Sequence, residues 1–134
     1  MTVLDASAVL ELLLATATGE RIGRRLQDAG ETPCAPHLVD VEVSHALRRF
    51  ERVGALSAVR GAEALADLAE FPLTRFPHEH LLGRIWELRH DVTAYDAAYI
   101  ALAEALHATL VTCDVKLASA RGRGLRVELY PVKE

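Results

Sequence analysis

The amino-acid sequence predicts an α/β fold, with a central and mostly parallel sheet in one domain that covers residues 1–134. Short apolar segments of strand length alternate with segments of helical periodicity, and this alternation is typical of β-helix-β units whose strands run parallel. A hydrophobic content of 51% in 134 residues suits a single core. Because aromatic residues make up only 5% of the chain, we expect a core of Leu, Val and Ala, which favours helices packed closely on a sheet.

The predicted strands are short apolar or extended segments. The segments that precede Asp5 and Asp114 are apolar runs typical of buried strands. The strands are expected at residues 2–4, 33–36, 73–76, 108–113 and 127–130.

The predicted helices are segments in which apolar residues recur at helical spacing between capping residues. Asp5 and Ser57 are suitable N-caps, and Gly30 and Gly54 close two of the helices. The segment 94–107 is apolar nearly all round, which predicts a buried helix. The helices are expected at residues 6–14, 20–29 with a start near Thr18, 37–52, 58–71, from Pro77, 94–107 and shortly after Asp114.

Charge and hydropathy limit the class of protein. The formal net charge of -4 argues against a protein coated in positive charge, although local arginines can attract phosphate or can simply be solvated helix faces. No run approaches the roughly 20 apolar residues of a membrane span, and the N-terminus does not resemble a secretory signal. We therefore expect a cytoplasmic protein with no membrane partner. The arginines cluster at positions 21, 24 and 25, at 48, 49 and 52, and at 121, 123 and 126.

Four carboxylates are the candidate functional residues: Asp5, Glu42, Asp96 and Asp114. Asp5 and Asp114 follow predicted strands, and the crevice beyond the carboxyl ends of parallel strands is where open α/β sheets bind ligands. Helix capping is the alternative for the three aspartates, because each lies near a predicted helix start. Glu42 breaks that pattern, since it is predicted beyond the first turn of its helix and beside an apolar stripe, where an unpaired carboxylate is costly to desolvate.

If the four carboxylates converge, their mutual repulsion destabilises the fold unless a cation compensates. A set of oxygen ligands selects a hard ion, so Mg²⁺ is expected, with Mn²⁺ as a substitute. Such an ion can activate water and stabilise a leaving oxygen. Phosphodiester hydrolysis follows as a hypothesis.

Four segments carry a resemblance to a known family. The segments Val3-Leu4-Asp5-Ala6-Ser7-Ala8, 36–43 around Glu42, 95–103 around Asp96, and Thr112-Cys113-Asp114 occur in that order. The chain resembles a PIN-domain nuclease of the VapC toxin type along essentially its full length. The resemblance implies a parallel sheet sandwiched between helices in three layers, Mg²⁺-dependent endoribonuclease activity on RNA, a VapB-type antitoxin partner and a homodimer.

The same resemblance implies the roles of the acids. Asp5, Glu42, Asp96 and Asp114 carry over as the catalytic centre. Asp5 and Asp96 are expected to be the main direct metal ligands. Asp114 and Glu42 are expected to be metal ligands through water or to orient the attacking water.

Three polar residues are expected to assist the acids. Ser7 and Thr112, each beside an acid at a strand end, would orient the carboxylates, with local capping and turn hydrogen bonds as the alternative. Arg89 would donate to a substrate phosphate, or pair with Asp91 instead.

Two other functions remain open from the sequence. A phospho-accepting receiver-like signalling domain has a similar length and also gathers acids at strand ends. It needs an acceptor aspartate at the end of a middle strand, whereas Glu42 is predicted inside a helix. A catalytically silent binding module of the same fold is the other alternative, which the intact set of acids disfavours.

Overall fold

A five-stranded sheet forms the centre of the computed structural model, which describes residues 1–120 and 124–132. Its strand order is β3-β2-β1-β4-β5, and each neighbouring pair is parallel. The predicted α/β class with a mostly parallel sheet is therefore confirmed. The strands are β1 (Thr2–Leu4), β2 (Pro33–Pro36), β3 (Thr74–Phe76), β4 (Thr109–Thr112) and β5 (Val127–Leu129).

Seven α-helices in the described residues flank this sheet. No helix in this part of the chain is long and apolar enough to cross a membrane. The helices are α1 (Ala6–Leu13), α2 (Ala17–Ala29), α3 (Val39–Arg52), α4 (Ala58–Glu70), α5 (Leu82–Glu87) preceded by a 3₁₀ turn (Glu79–Leu81), α6 (Ala94–Leu106) and α7 (Val115–Ser119).

The strand order places the ends of β1 and β4 side by side. The chain runs outward from β1 through β2 to β3, then returns to the other side of β1 to form β4 and β5. Leu4 is paired with Val111, so Asp5 and Thr112 emerge level with each other at the carboxyl edge. This reversal of direction is the switch point at which open α/β sheets form a ligand crevice.

Helix α6 is the buried helix that the sequence predicts. Every residue from Ala97 to Ala103 is buried, and the helix packs on β1 and β2. The many alanines allow a close approach of the helix to the sheet, and Tyr99 is the largest side chain that is fully enclosed. This packing fixes the orientation of the α6 N-terminus at the carboxyl edge.

Helices α1 and α2 also pack closely, at Gly19. A Cβ atom at this position would lie 2.0 Å from the carbonyl oxygen of Glu11. Thr16 is the N-cap of α2, and its hydroxyl accepts a hydrogen bond from the Gly19 N–H. The helix begins at Ala17, next to Thr18 where its start was expected, and so extends three residues before Glu20.

Two further boundaries differ from the predictions. Helix α3 begins at Val39, two residues later than expected, which puts Glu42 in the first turn of the helix and not beyond it. After Pro77 the chain forms the 3₁₀ turn Glu79–Leu81, and α5 begins only at Leu82, five residues later than expected. The predicted arginine cluster at the C-terminal side lies partly outside the described residues, at Arg121 and Arg123.

Candidate active site

The four predicted acids line one cleft with a volume of about 500 Å³ at the carboxyl edge of the sheet. Asp5 follows β1, Asp114 follows β4, Glu42 lies in the first turn of α3, and Asp96 lies in the first turn of α6. Four elements that are distant in the sequence therefore present carboxylates to the same space.

Asp5 is the most buried of these acids, with an exposed fraction of 5%. One carboxylate oxygen accepts hydrogen bonds from the Ser7 hydroxyl (2.7 Å) and the Ala8 N–H (3.0 Å), and the other accepts one from the Thr112 hydroxyl (2.5 Å). Burial raises the pKa of Asp5 to about 6, with a smaller contribution from the charge of Asp114, although the hydrogen bonds oppose the shift. Asp5 therefore binds a proton unusually well when no cation is near.

The Ser7 and Thr112 hydroxyls are oriented by the backbone after β4. The Cys113 N–H donates to the Ser7 oxygen (2.9 Å), and the Asp114 N–H donates to the Thr112 oxygen (2.9 Å). Because each hydroxyl oxygen already accepts from a backbone donor, its own hydrogen is available to Asp5. This network fixes the Asp5 carboxylate on both of its oxygens.

Glu42 is held by Tyr99, a residue that the sequence analysis did not single out. The Tyr99 hydroxyl donates to a Glu42 carboxylate oxygen at 2.5 Å. Burial and, to a smaller degree, the charge of Asp96 raise the pKa of Glu42, and the hydrogen bond from Tyr99 opposes the increase. The pKa of Tyr99 is raised above its usual range, first by burial and then by Glu42. Tyr99 therefore stays a neutral donor.

Asp96 and Asp114 combine helix-start positions with exposure to the cleft. The Asp96 N–H donates to the Thr93 hydroxyl (3.2 Å), but within residues 1–120 and 124–132 no bond runs back from the Thr93 N–H to the Asp96 carboxylate. The pKa of Asp96 is raised by burial and by Asp114. Asp114 caps α7 by accepting from the Lys116 N–H (2.9 Å). For Asp114, capping and lining the cleft are compatible.

The cleft also contains two basic side chains of α3. His45 and Arg49 follow Glu42 by about one and two turns, and both line the cleft. Neither forms a side-chain hydrogen bond or an ion pair with any described residue. The sequence grouped Arg49 with Arg48 and Arg52, whereas only Arg49 of these three lines this cleft.

Arg89 and Asp40 lie elsewhere. The Arg89 guanidinium sits 4.4 Å from the centre of the Trp86 ring and donates to the Trp86 carbonyl at 2.8 Å. Arg89 is not among the residues that line the cleft, so its contact with substrate stays a prediction. Asp40 forms an ion pair with Arg75 at 2.8 Å and is likewise not part of the cleft.

The oxygen ligands of the cleft suit a hard cation, but their arrangement limits how many of them can bind one ion. All four acids offer carboxylate oxygens, the ligands that Mg²⁺ and Mn²⁺ prefer. Among the residues that the structure describes, however, no three His, Cys, Asp or Glu side chains are arranged to hold an ion together. Asp5 and Glu42 are instead engaged by neighbouring hydroxyls. The site therefore fits an ion that keeps several waters and takes only one or two carboxylates, as Mg²⁺ typically does.

Comparisons with known proteins agree with this architecture. The family model for the PIN domain matches residues 2–122. Ribonuclease VapC12 of Mycobacterium tuberculosis is 40% identical over 129 residues, which are 96% of this chain and 98% of the relative. Ribonuclease VapC9 of the same organism is 43% identical over 117 residues, 87% of this chain and 88% of the relative.

A solved structure has a similar fold. It is described as VapBC2 from Rickettsia felis bound to a DNA fragment from their promoter, and the matching chain has a TM-score of 0.69. The match is 15% identical and covers 96% of this chain and 98% of that chain. At this identity the likeness extends to the fold alone.

Proposed function

Because this chain belongs to the PIN domain family, we propose that it is a Mg²⁺-dependent endoribonuclease, active also with Mn²⁺, that hydrolyses RNA phosphodiester bonds. We further propose that it is the cytoplasmic toxin of a VapBC-type toxin–antitoxin module. The observation that carries the activity is the gathering of Asp5, Glu42, Asp96 and Asp114 in one cleft. The relatives with about 40% identity are ribonucleases by name, which supports the substrate class.

Asp5 and Asp96 would bind the ion directly, and Asp114 would bind it through a water, so that the ion takes only one or two carboxylates. When bound there, a divalent ion would supply positive charge for the phosphoryl oxygens and would make the attacking water more acidic. Ser7 and Thr112 hold Asp5 in one orientation, which limits the reorganisation that binding requires. The pKa values of Asp5 and Asp96 are raised by burial and, to a smaller degree, by repulsion from Asp114, and a bound cation would offset both effects.

Glu42 is the proposed acceptor for a proton of the attacking water. A base works best when its pKa lies near the working pH, and burial moves the pKa of Glu42 upward in that direction. Tyr99 orients the carboxylate by its hydrogen bond to one oxygen and leaves the other available. Arg49, which has no carboxylate partner among the described residues, is placed to pair with a phosphate of the substrate.

The activity is tested with purified protein and a mixture of RNAs, with added Mg²⁺ or with a chelator. Asp5→Asn and Asp96→Asn should each reduce cleavage by at least about a hundredfold, a range typical of removing one electrostatic contribution to a transition state. Asp67→Asn is the matched control, because Asp67 is exposed on α4 and away from the cleft. Cleavage that persists in chelator would contradict the metal mechanism.

The antitoxin partner and a homodimer are further proposals of this module. A protein encoded beside this chain should co-purify with it and suppress cleavage when the two are expressed together. Sedimentation of the purified chain measures the homodimer separately. A monomer at all concentrations, or a neighbouring protein that neither binds nor inhibits, would contradict the respective proposal.

The receiver-like alternative does not fit the sheet. Receiver domains of the flavodoxin-like type have the strand order 2-1-3-4-5, whereas the order here is 3-2-1-4-5. Strand β3, the third strand along the chain, is also followed by Pro77 and not by an acceptor aspartate. A catalytically silent binding module of the same fold stays testable by the cleavage assay above.

A further inference from the structure

The acidic cleft continues into a groove along the start of α2. A second concave surface shares Glu11 and Val132 with the cleft and adds Thr16, Thr18 and Arg21. A third shares Arg21 with the second and adds Arg24, Arg25, Asp28 and Tyr130. The three surfaces are contiguous through these shared residues. The part beyond the acids is called the arginine groove below.

The far end of the arginine groove is a stacked pair. The Arg21 guanidinium lies 5.3 Å from the centre of the Tyr130 ring. The ring is held by two contacts: its hydroxyl donates to Glu128 (3.3 Å), and the Tyr130 N–H donates to the Thr112 carbonyl (2.8 Å). Thr112 also bonds to Asp5. The aromatic ring is therefore anchored to the same strand end that carries the acidic site.

The arginines of α2 divide into one structural residue and two available ones. Arg25 donates to both carboxylate oxygens of Glu128 (2.9 Å each) and to the Thr2 hydroxyl (2.7 Å), so it ties α2 to β5 and β1. Arg21 and Arg24 are exposed, and within the described ranges neither forms an ion pair. Two cations without carboxylate partners therefore face this groove.

Cations beside the cleft are needed because the cleft itself is acidic. A polyanion that approaches the four carboxylates is repelled unless nearby positive charge holds it. Arg49 of α3 lines the cleft itself, and Arg21 of α2 lines the adjoining surface that shares Glu11 and Val132 with the cleft. The acids therefore have basic residues close by on two different helices.

We propose that the arginine groove holds the unpaired part of an RNA substrate on one side of the cleaved bond. This inference deepens the proposed function and depends on it. A base stacks at the Arg21–Tyr130 pair, and Arg21 and Arg24 contact phosphates, the combination that single-stranded nucleic acid binding uses. A paired strand does not expose its base faces, so the groove selects single-stranded RNA.

Binding is tested in chelator, which prevents cleavage by the proposed mechanism, with a labelled single-stranded RNA of about 16 nucleotides. Arg21→Ala and Tyr130→Ala should each weaken binding about five- to tenfold, and Tyr130→Phe should retain binding because the ring remains. Arg21→Ala should also reduce the slope of log affinity against log salt by about 0.7. Arg48→Ala removes the same charge from the surface of α3, outside the cleft and groove, and should change affinity less than about twofold.

Cleavage gives an independent readout. With Mg²⁺ present, Arg21→Ala should raise KM for the long substrate while leaving kcat within about twofold, because uniform binding is lost. A dinucleotide lacks the flanking nucleotides that the arginine groove would hold, so its cleavage should be unaffected. Thermal unfolding of each variant checks that the exposed substitutions leave the fold intact.

Several results would overturn the inference. Equal effects of Arg21→Ala and Arg48→Ala, or equal affinity for the same RNA annealed to its complement, would show that the groove does not select an unpaired strand. Loss of antitoxin binding in Arg21→Ala with unchanged RNA binding would make the groove a protein-docking surface. If the protein binds RNA through Arg21 but cleaves none, the proposed nuclease function is wrong and the proposed role of the arginine groove is supported. If the protein cleaves RNA and Arg21→Ala changes neither binding nor KM, the nuclease function is supported and the role of the groove is wrong.

Discussion

Replacing Asp5 by Asn removes the most deeply buried charge of the acidic cleft and should change the pH dependence of stability in the metal-free protein. The pKa of Asp5 in the folded state is about 6, against an ordinary value of 3.8. Between these values the folded state binds more protons than the unfolded state, so the free energy of unfolding falls as pH rises through this window. A difference of about two pKa units corresponds to about 3 kcal/mol.

The assay is urea unfolding of wild type and Asp5→Asn in chelator across the range from about pH 4 to 7, the window that this shift defines. Other groups titrate in the same range, so the quantity of interest is the difference between the two proteins at each pH. Relative to the variant, wild type should lose about 3 kcal/mol from the acidic to the neutral end. Asp67→Asn should follow wild type, because Asp67 is exposed.

The variant has a cost that does not depend on pH. The Thr112 hydroxyl loses a carboxylate acceptor, which typically costs about 1 to 2 kcal/mol. If the free energies of unfolding of the two proteins differ by the same amount at every pH, the reasoning is refuted, because the pKa of Asp5 would then be the same in the folded and unfolded states. Stability of wild type that rises relative to the variant toward neutral pH would refute it more strongly, since the sign of the shift would be reversed.

Three other perturbations test separate parts of the structure. Tyr99→Phe should lower kcat about tenfold because Glu42 loses the hydrogen bond that orients it, while the free energy of unfolding should change by only about 1 kcal/mol. An unchanged kcat would show that Tyr99 does not assist catalysis. Gly19→Ala should destabilise by about 2 to 3 kcal/mol in urea because its Cβ would meet backbone, whereas Gly23→Ala, which meets only a side chain at 3.6 Å, should not. Glu128→Gln should lower the free energy of unfolding by about 1 kcal/mol at neutral pH, a value discounted for partial exposure. Below the lowered pKa of Glu128 the substitution should have no effect, because the wild-type carboxylate is then protonated. An equal loss of stability at both pH values would exclude the ion pair with Arg25 as its cause.

The elements and their order followed from local patterns. The sequence predicts Asp5 and Asp114 at strand ends because each follows an apolar run. The run indicates a buried strand, and the acid marks the residue at which that strand ends. The convergence of the acids was inferable because the carboxyl ends of parallel strands lie at one edge. The start of α3 was misplaced because Leu38, its N-cap, makes no side-chain capping bond and so leaves no local signal.

Contacts between distant elements were not inferable. Tyr99 lies in a helix that is apolar all round, so its hydroxyl gave no indication that it meets Glu42. Arg49 could be distinguished from its neighbouring arginines only once the helix was oriented on the sheet. The stacking of Arg21 on Tyr130 joins residues more than a hundred positions apart, and nothing in either segment alone predicts it.

The central claim, that carboxylates from distant parts of the chain close around a divalent ion, is tested most directly by Mn²⁺ in a crystal of the wild-type protein, located by its anomalous scattering. We expect a peak in the acidic cleft within bonding distance of Asp5 or Asp96, and we expect that peak to be lost in Asp5→Asn. A peak elsewhere with the cleft empty, in a preparation that cleaves RNA, would contradict it.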